Sequence, residues 1–464
     1  MSYLVSQIKN IVNDSVKDAL GKNYNATKIE TSDVVSMGKA IGQYDAYEGF
    51  FGALANRIVK TVYFIRTYEG NTRSVLRDEH EYGAFIQKLY YKLPEAVDNP
   101  TWNIPDSATG LYTQASPYDV NASIGVSSLI FGGKGTWSIE IVRPIEQIKT
   151  AFLDTESMMS FIDGIYLAVE NAFKLEEERV VALAVNTAMA DALDGGIARN
   201  LLAEYNDKFS QTLTVAQAMV SADFIRYATK EIKRTIENMG KMSTVYNKGG
   251  YETFTSRDKM VVEMLAEFAS ASDTYLQSDT FHKDLVALPG YESVPFWQAS
   301  GKNFDFADCS KINIEHDDLD NDIAQDGIIC FVHDIENVAA YFGRRRAWEV
   351  VNPRSEVVVH GEKAEKGFAV DRNANAEVFY ISASYGTVTV SAGSHGSASG
   401  SSAKGYRGQT IIVTCTPSDG YVVDNVYVGS DTTDKLDKID ATHYAYRCVS
   451  DGNVTINVTF KSAA

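Results

Sequence analysis

The strongest helix pattern in this chain is DTESMMSFIDGIYLAVENAFKLEEERVVALAVNTAMADAL, from Asp154 to Leu193. Asp154 or Thr155 can cap its start, and the pair Gly195-Gly196 can end it. At 1.5 Å per residue the helix would be about 60 Å long, more than a compact domain usually needs. The pattern therefore predicts a spine around which a plate-like subunit is built. Its apolar stripe at helical spacing consists of Phe161, Ile165, Ala168, Ala172, Leu175, Val180 and Leu183.

Two β-rich runs precede this helix, Val62 to Tyr68 and Phe85 to Leu93, with a polar stretch between them. Such a hairpin has too little apolar material to bury itself within its own domain. The composition favours an arm that reaches a neighbouring subunit, although an ordinary surface hairpin fits the pattern equally well. In the arm interpretation, carboxylates of the neighbour would face the basic side chains Arg66, Arg73 and Arg77.

After the spine helix, the pattern predicts an α+β domain over about residues 200 to 340. Two capped helices are predicted, at Ser221 to Met239 and at Ser256 to Ala269. The strand candidates are Ser243 to Asn247, Asp326 to Asp334 and Asn337 to Gly343. Later strand patterns, from Arg346 to Ser382, are expected to pair with the strand at Gly135 to Ile148 that flanks the spine helix.

The composition changes after Ser384: from Gly386 to Ala464 there is one Leu, one Phe, and no Trp, Met or Glu. Five short strand patterns separated by turn signals predict a small all-β sandwich or barrel with a boundary near Tyr385. We expect this domain to fold independently and to contribute few contacts to the rest of the assembly, so that truncation after Ser384 is tolerated. The segment Gly393 to Gly405 is predicted to be an open loop that can contact a host glycan.

The charge and the motifs exclude several function classes. A net charge of −18 argues against a general binder of phosphate backbones. The N-terminus carries no signal-peptide pattern, and no apolar run is long enough for a membrane span. Three consecutive arginines, Arg344, Arg345 and Arg346, are expected to pair with carboxylates of a neighbouring surface.

Neither catalysis nor metal binding is predicted from the remaining motifs. The seven histidines are scattered, and the acidic segment His316 to Gly327 lacks the glycine and the closing glutamate of a calcium loop. The four cysteines show no C-x-x-C spacing, so neither a zinc site nor a redox motif is expected. A disulfide between Cys415 and Cys448, in the same terminal domain, remains open. We therefore predict a non-enzymatic chain without catalytic residues, metal or cofactor.

The order of these parts resembles that of tailed-phage major capsid proteins with the Hong Kong 97-type fold. The similarity is greatest to small podoviruses of the phi-29 kind, whose capsid protein also carries a C-terminal Ig-like domain. RIVKTVYFIRTYEGNTRSVLRDEHEYGAFIQKLYYKLPEA resembles the extended loop, SFIDGIYLAVENAFKLEEE the spine helix, and NVAAYFGRRRAWEVVNPRSEV the late strands. GQTIIVTCTPSDGYVVDNVYVG looks more like an internalin-type B-repeat than a group 2 bacterial Ig-like domain.

The resemblance implies an icosahedral or prolate head shell, built from hexamers and pentamers, that encloses double-stranded DNA without sequence-specific contacts. It further implies portal and scaffolding partners, and assembly in the host bacterial cytoplasm. An encapsulin-like nanocompartment shell and a surface adhesin or carbohydrate-binding protein are the alternatives. The implied divisions are the N-terminal arm (1–57), extended loop (58–104), peripheral domain (105–212), axial domain (213–340), return strands of the peripheral domain (341–384) and C-terminal β domain (385–464).

Overall fold

The structure is a computed structural model, and the chain divides in it into two compact units. Unit 1 comprises Met1–Ala84, Gly132–Val185 and Ala339–Ala369, and unit 2 comprises Phe85–Phe131, Asn186–Val338 and Val370–Ala464. No helix in the described part of the chain is long and apolar enough to cross a membrane. The residues that the structure describes are 76–77, 85–93, 126–132, 135–144, 155–277, 290–298, 305–315, 322–343, 345–433 and 435–463.

The described elements that precede the C-terminal domain include both strands and α-helices. The strands are β1 (Leu76–Arg77), β2 (Phe85–Tyr91), β3 (Val126–Gly132), β4 (Gly135–Pro144), β5 (Ala198–Asn200), β6 (Met260–Leu265), β7 (Glu292–Val294), β8 (Ile312–Ile314), β9 (Ile323–Gln325), β10 (Ile328–Asp334), β11 (Val338–Phe342), β12 (Arg346–Asn352), β13 (Val357–Val370) and β14 (Ala376–Tyr380). The helices are α1 (Thr155–Asp194), α2 (Leu201–Lys208), α3 (Val215–Met219), α4 (Ala222–Met239), α5 (Ala266–Gln277) and α6 (Phe306–Cys309).

The predicted spine helix is confirmed as α1, whose 40 residues differ from the predicted bounds by one residue at each end. Gly196 ends it with a φ of +69°, the left-handed conformation that glycine adopts without steric cost. The Ile197 amide then donates to the Ala192 carbonyl at 2.8 Å, which satisfies one of the last free carbonyls of the helix. The first part of α1 belongs to unit 1, and the residues from Asn186 onward belong to unit 2.

Unit 1 contains a five-stranded sheet in the order β1-β11-β13-β12, with β4 also paired to β13. The antiparallel pairing of β13 with β4 runs from Val357 opposite Pro144 to Lys366 opposite Gly135. This pairing confirms the prediction that the late strands return to the strand before the spine helix. Trp137 of β4 packs on the Phe173 ring of α1 at a centroid distance of 4.6 Å, so the sheet lies against the spine.

Unit 2 contains the sheet β5-β14-β10-β6-β7, and the helices α2, α4 and α5 contribute to the same core. The predicted helix at Ser221 to Met239 is confirmed as α4, and the Ser221 hydroxyl accepts from the Phe224 amide as its N-cap. The apolar face of α4 buries Phe224 and Ile232 against the sheet, which is the burial that holds the helix in place.

The predicted helix at Ser256 to Ala269 is wrong. Arg257–Lys259 is a single 3₁₀ turn and Met260–Leu265 is strand β6 between β10 and β7, so an α-helix begins only at Ala266. The run MVVEML is apolar and buried almost throughout, and a continuous apolar run cannot distinguish a buried strand from a buried helix. The predicted strand at Ser243 to Asn247 is also wrong, because only an isolated bridge joins Ser243 to Thr253.

The C-terminal domain is a sandwich of two four-stranded sheets, as the sequence predicts. Its sheet orders are β17-β15-β22-β19 and β16-β18-β21-β20, and their inner faces form a separate core around Ile411, Val413 and Ile456. Its strands are β15 (Gly386–Ala392), β16 (Gly396–Gly400), β17 (Lys404–Gly405), β18 (Thr410–Pro417), β19 (Tyr421–Val428), β20 (Asp437–Lys438), β21 (His443–Arg447) and β22 (Val454–Ser462).

In this domain, one prediction about a loop is wrong, and the state of two cysteines that the sequence left open is established. The predicted open loop from Gly393 to Gly405 is wrong, because Gly396–Gly400 is strand β16, paired antiparallel with β18. Its small residues allow close packing, and a side chain at Gly396 would collide with the Phe460 ring. Cys415 and Cys448 are buried free thiols and form no disulfide.

Candidate functional site

Three of the six arginines predicted at subunit interfaces lie in the described part of the chain. Arg66, Arg73 and Arg344 lie outside the described residues, and Arg77 lies in β1 opposite Tyr341 of the same chain. The Arg345 guanidinium lies 3.4 Å from the centre of the Phe173 ring, a cation–π contact with the spine helix of its own chain. Arg346 is exposed at the start of β12. A role of these residues at a subunit interface stays a prediction.

A two-stranded ribbon formed by β2 and β3 contacts, through one of its faces, the rest of unit 2 that precedes Tyr385, which we call the body. Lys88 Nζ lies 2.8 Å from Asp371 Oδ2, and the Tyr90 hydroxyl donates to the same oxygen at 2.5 Å. The Ser127 hydroxyl is hydrogen-bonded to the Tyr251 hydroxyl. Burial and the Asp371 carboxylate raise the pKa of Tyr90, so its hydroxyl remains a donor. These contacts fix which face of the ribbon points away from the unit.

The outward face of the ribbon carries several exposed apolar side chains. Leu89, Tyr91 and Ile130 are 53%, 61% and 64% exposed, and they alternate with the body-facing residues as strand geometry requires. Leu93 and Val126 add to the exposed apolar surface. Clustered exposed apolar side chains mark protein–protein interaction sites more often than single ones do. Neither FIQKLYY nor VSSLIFG alternates apolar with polar residues, so no local pattern in the sequence indicates this face.

An ionic cluster is buried where α4 meets the end of β5. Arg199 Nη2 lies 2.8 and 2.6 Å from the Glu204 carboxylate oxygens and 2.9 Å from Glu231 Oε2, and Arg199 Nη1 donates to the Thr235 hydroxyl at 3.3 Å. Burial raises the pKa of Glu231, but Arg199 and Arg234 outweigh that effect and hold it below its ordinary value. Glu231 therefore stays ionised although its side chain is fully buried.

The end of the C-terminal domain at His395 and Tyr421 carries a pair of aromatic rings. The rings are stacked at a centroid distance of 4.1 Å with an interplanar angle of 3°. His395 has a φ of +77°, rare for a residue with a side chain, and its carbonyl accepts from the Ser418 amide at 2.9 Å. The loops between β15 and β16 and between β18 and β19 thus present a flat aromatic platform.

The described residues offer little for catalysis or metal binding. Among them, no group of three His, Cys, Asp or Glu side chains lies close enough to hold a metal ion. Of the alternate aspartates in the acidic segment, Asp322 is described and Asp318 and Asp320 are not. Burial raises the pKa of Cys415 to about 11, and burial with the Asp451 charge raises that of Cys448 to about 11. Both thiols are therefore poor nucleophiles at neutral pH.

Two family models match the chain. The model described as Phi29-like phage major capsid protein matches residues 12–380 of the 464, and the model described as divergent InlB B-repeat domain matches residues 386–464. The second match confirms the predicted B-repeat-like character of the C-terminal domain. A search of the curated proteins found no significant match.

Solved phage structures are similar at low identity. A capsid structure of Staphylococcus phage Andhra is 10% identical with a TM-score of 0.43, over 68% of this chain and 84% of that chain. A structure of the head fibre and inner core protein of bacteriophage P68 is 10% identical with a TM-score of 0.44, over 66% and 83%. A structure from Mycobacterium phage Che8 is 16% identical with a TM-score of 0.31, over 64% and 85%.

Proposed function

Because the chain belongs to the family of Phi29-like phage major capsid proteins, we propose that the apolar face of its β2–β3 ribbon joins copies of it in the head shell. The chain is a structural subunit of a tailed-phage head, located in the virion capsid. The α+β part of the chain with its long spine helix, followed by an all-β C-terminal domain, agrees with the predicted Hong Kong 97-type fold class. Neither the nanocompartment shell nor the adhesin is favoured.

The exposed ribbon face is the observation that carries the contact proposal. A shell subunit must bury surface against several neighbours, and apolar surface contributes roughly 25 cal/mol per Å² removed from water. The anchoring of the opposite face through Lys88, Tyr90 and Ser127 holds the apolar side chains outward in a fixed geometry. Because the chain belongs to a family of capsid proteins, the expected partner of this face is a second copy of the same chain.

The substitution Ile130→Asp is expected to abolish shell formation while leaving the subunit folded. Ile130 is 64% exposed in the isolated subunit, so the change costs the monomer little. In an assembled contact it would bury an unpaired charge, which costs several kcal/mol. Sedimentation and electron microscopy of the expressed protein would measure assembly, and circular dichroism of the soluble fraction would report folding.

The matched control for this variant is Val422→Asp, which adds the same charge at an exposed valine of β19 in the C-terminal domain. Normal shell yield is expected from it. A normal yield of shells from Ile130→Asp would contradict the ribbon contact, while the family membership would stand.

We also propose that the aromatic end of the C-terminal domain faces outward and contacts host glycans. The stacked rings of His395 and Tyr421 offer the flat apolar surface on which a sugar ring can pack. Tyr421→Ala is expected to reduce the retention of assembled particles on a mucin-coated surface several-fold. Tyr385→Ala removes an exposed aromatic ring near the start of β15 and is the control that should leave retention unchanged. Equal retention of particles with and without Tyr421 would refute the contact.

The remaining partners follow from the family. We propose that the subunit forms hexamers and pentamers in the host bacterial cytoplasm and meets portal and scaffolding proteins of the phage there. The arginines at 66, 73, 77, 344, 345 and 346 remain candidates for contacts with carboxylates of neighbouring copies. The acidic composition fits a shell whose inner surface holds packaged DNA without sequence-specific contacts.

A further inference from the structure

The C-terminal domain is fastened to unit 2 through the Asp451 carboxylate. Asp451 Oδ2 accepts from Asn200 Nδ2 at 3.0 Å and from the Tyr380 hydroxyl at 2.8 Å. Asp451 Oδ1 accepts from the Arg407 amide at 2.8 Å. Asn200 and Tyr380 end the neighbouring strands β5 and β14, and both are fully buried. One carboxylate therefore joins two loops of the C-terminal domain to the end of the body's sheet.

Asn200 is a residue of the body whose side chain is hydrogen-bonded to the Asp451 carboxylate. Its Oδ1 accepts from the Ala203 amide at 3.2 Å, capping α2, and from the Ser382 amide at 3.0 Å. Its Nδ2 donates to Asp451 and to the Ser384 carbonyl at 3.3 Å. Every acceptor and donor site of the buried amide is thus occupied, and the connecting segment before Tyr385 is held by the same side chain.

A buried charge of the body depends on the C-terminal domain. Glu377, the second residue of β14, is 1% exposed, and its Oε1 lies 3.0 Å from Arg447 Nη2 at the end of β21. Burial raises the pKa of Glu377, and the charges of Arg447 and Arg199 oppose that effect. Breaking a buried ion pair by removing one partner leaves an uncompensated charge. The body sheet therefore carries a buried carboxylate that is paired with a cation of the C-terminal domain.

Two glycines bring the backbones of the body and the domain into close contact. Gly408 of the domain has a φ of +88°, and a β-carbon added there would lie 2.6 Å from Arg199 Cγ and 3.0 Å from the Ala198 carbonyl oxygen. Gly196 of the body has a φ of +69°, and a β-carbon there would lie 2.6 Å from Val449 Cγ1. No larger residue fits at either position without separating the two surfaces.

From these contacts we propose that the C-terminal domain is an intramolecular brace that locks the ends of β5 and β14, a further function beyond display. The contacts come from the loops at Tyr406–Gln409 and Cys448–Asn453, whereas the stacked rings belong to His395 of the β15–β16 loop and Tyr421 at the start of β19. On this proposal, truncation after Ser384 is expected to destabilise the sheet that contains β5 and β14, contrary to the sequence-based prediction that truncation is tolerated. Truncation removes Asp451 and also Arg447, the ion-pair partner of Glu377.

The test compares Gly408→Ala with Gly420→Ala in the full chain, by hydrogen exchange. Both glycines have a positive φ, +88° and +82°, so both substitutions strain the backbone equally, but Gly420 has no atom within 4 Å of an added β-carbon. The reporters are the Val378 amide, which donates to Ile197, and the Ile381 amide, which donates to Gly327, because both bonds lie within the body. In Gly408→Ala both amides are expected to exchange about tenfold faster or more, with no change in Gly420→Ala.

A second pair of variants covers the case in which Gly408→Ala fails to fold. Asp451→Asn keeps the size of the side chain but presents an NH₂ group to donors, whereas Asp440→Asn makes the same change at a turn before β21. Faster exchange of Val378 and Ile381 is expected only in Asp451→Asn. The brace would be refuted if either Gly408→Ala or Asp451→Asn left the exchange rates of both amides unchanged. In that case faster exchange would be confined to residues 386–463. The mucin experiment is independent of this outcome.

Discussion

Replacing Arg199 with alanine is expected to lower the free energy of unfolding of unit 2 by about 3–5 kcal/mol. The guanidinium is nine-tenths buried and is hydrogen-bonded to Glu204, Glu231 and Thr235. Its removal leaves the fully buried Glu231 carboxylate with the exposed cations Lys230 and Arg234 only. Equilibrium denaturation of the unassembled subunit would measure the loss, and shell yield should fall with it.

The matched control for this prediction is Arg234→Ala. Arg234 Nη2 also lies close to Glu231, at 2.7 Å from Oε2, but the Arg234 side chain is 54% exposed. Exposed ion pairs contribute about 0–1 kcal/mol, so the control should lose no more than that. Equal losses from Arg199→Ala and Arg234→Ala would show that burial of the cluster does not determine its contribution.

The pH dependence of the free energy of unfolding tests the same ionic cluster in a second way. The folded-state pKa of Glu231 lies below its ordinary value, so its contribution is present above the unfolded-state pKa and is lost as pH falls through the folded one. In Arg199→Ala the buried carboxyl is expected to bind a proton at higher pH than in the parent chain. The stability difference between the two proteins should therefore shrink below about pH 4, and a constant difference down to pH 2 would contradict the argument.

Replacing Trp297 with alanine is expected to cost about 3–5 kcal/mol, the range for deleting a large buried aromatic side chain. Trp297 is 2% exposed, and its indole Nε1 donates to the Ile328 carbonyl at 3.0 Å. Its own carbonyl accepts from Asn186 Nδ2 at 2.9 Å, which ties the segment after β7 to the last turns of α1. The alanine variant loses both the packing of the ring and the indole hydrogen bond to the first residue of β10.

The variant Trp297→Phe separates these two losses. Phenylalanine keeps most of the apolar volume but cannot donate to Ile328, so the expected cost is about 1–3 kcal/mol, from the unsatisfied carbonyl. Thermal denaturation of the unassembled subunit would compare the two variants. If Trp297→Phe is as destabilised as Trp297→Ala, the hydrogen bond and not the packing holds this segment.

The elements with strong local signals could be predicted from the sequence. The spine helix was predicted because its cap, its terminating glycines and its long apolar stripe agree, and α4 because Ser221 precedes a stripe that ends at Gly240. Strand β6 was not, since burial on both faces removes the alternation that identifies a strand.

The sites that depend on tertiary contacts could not be read in the same way. Glu231 was missed although it lies at helical spacing from Phe224 and Ala228, on the buried face of α4, which is the one sequence signal for a buried charge. Asp451 lies in the turn-like segment SDGN, and nothing local indicates that it meets the end of a distant sheet. The register that brings Asn200 beside Tyr380 is set by the pairing of β5 with β14.

Electron microscopy of the expressed full-length chain, with and without phage scaffolding protein, tests the head-shell function most directly. A major capsid protein is expected to form closed phage-sized shells or sheets of hexamers in at least one of the two conditions. Discrete monomers in both conditions, or only small uniform cages of the nanocompartment type, would contradict it.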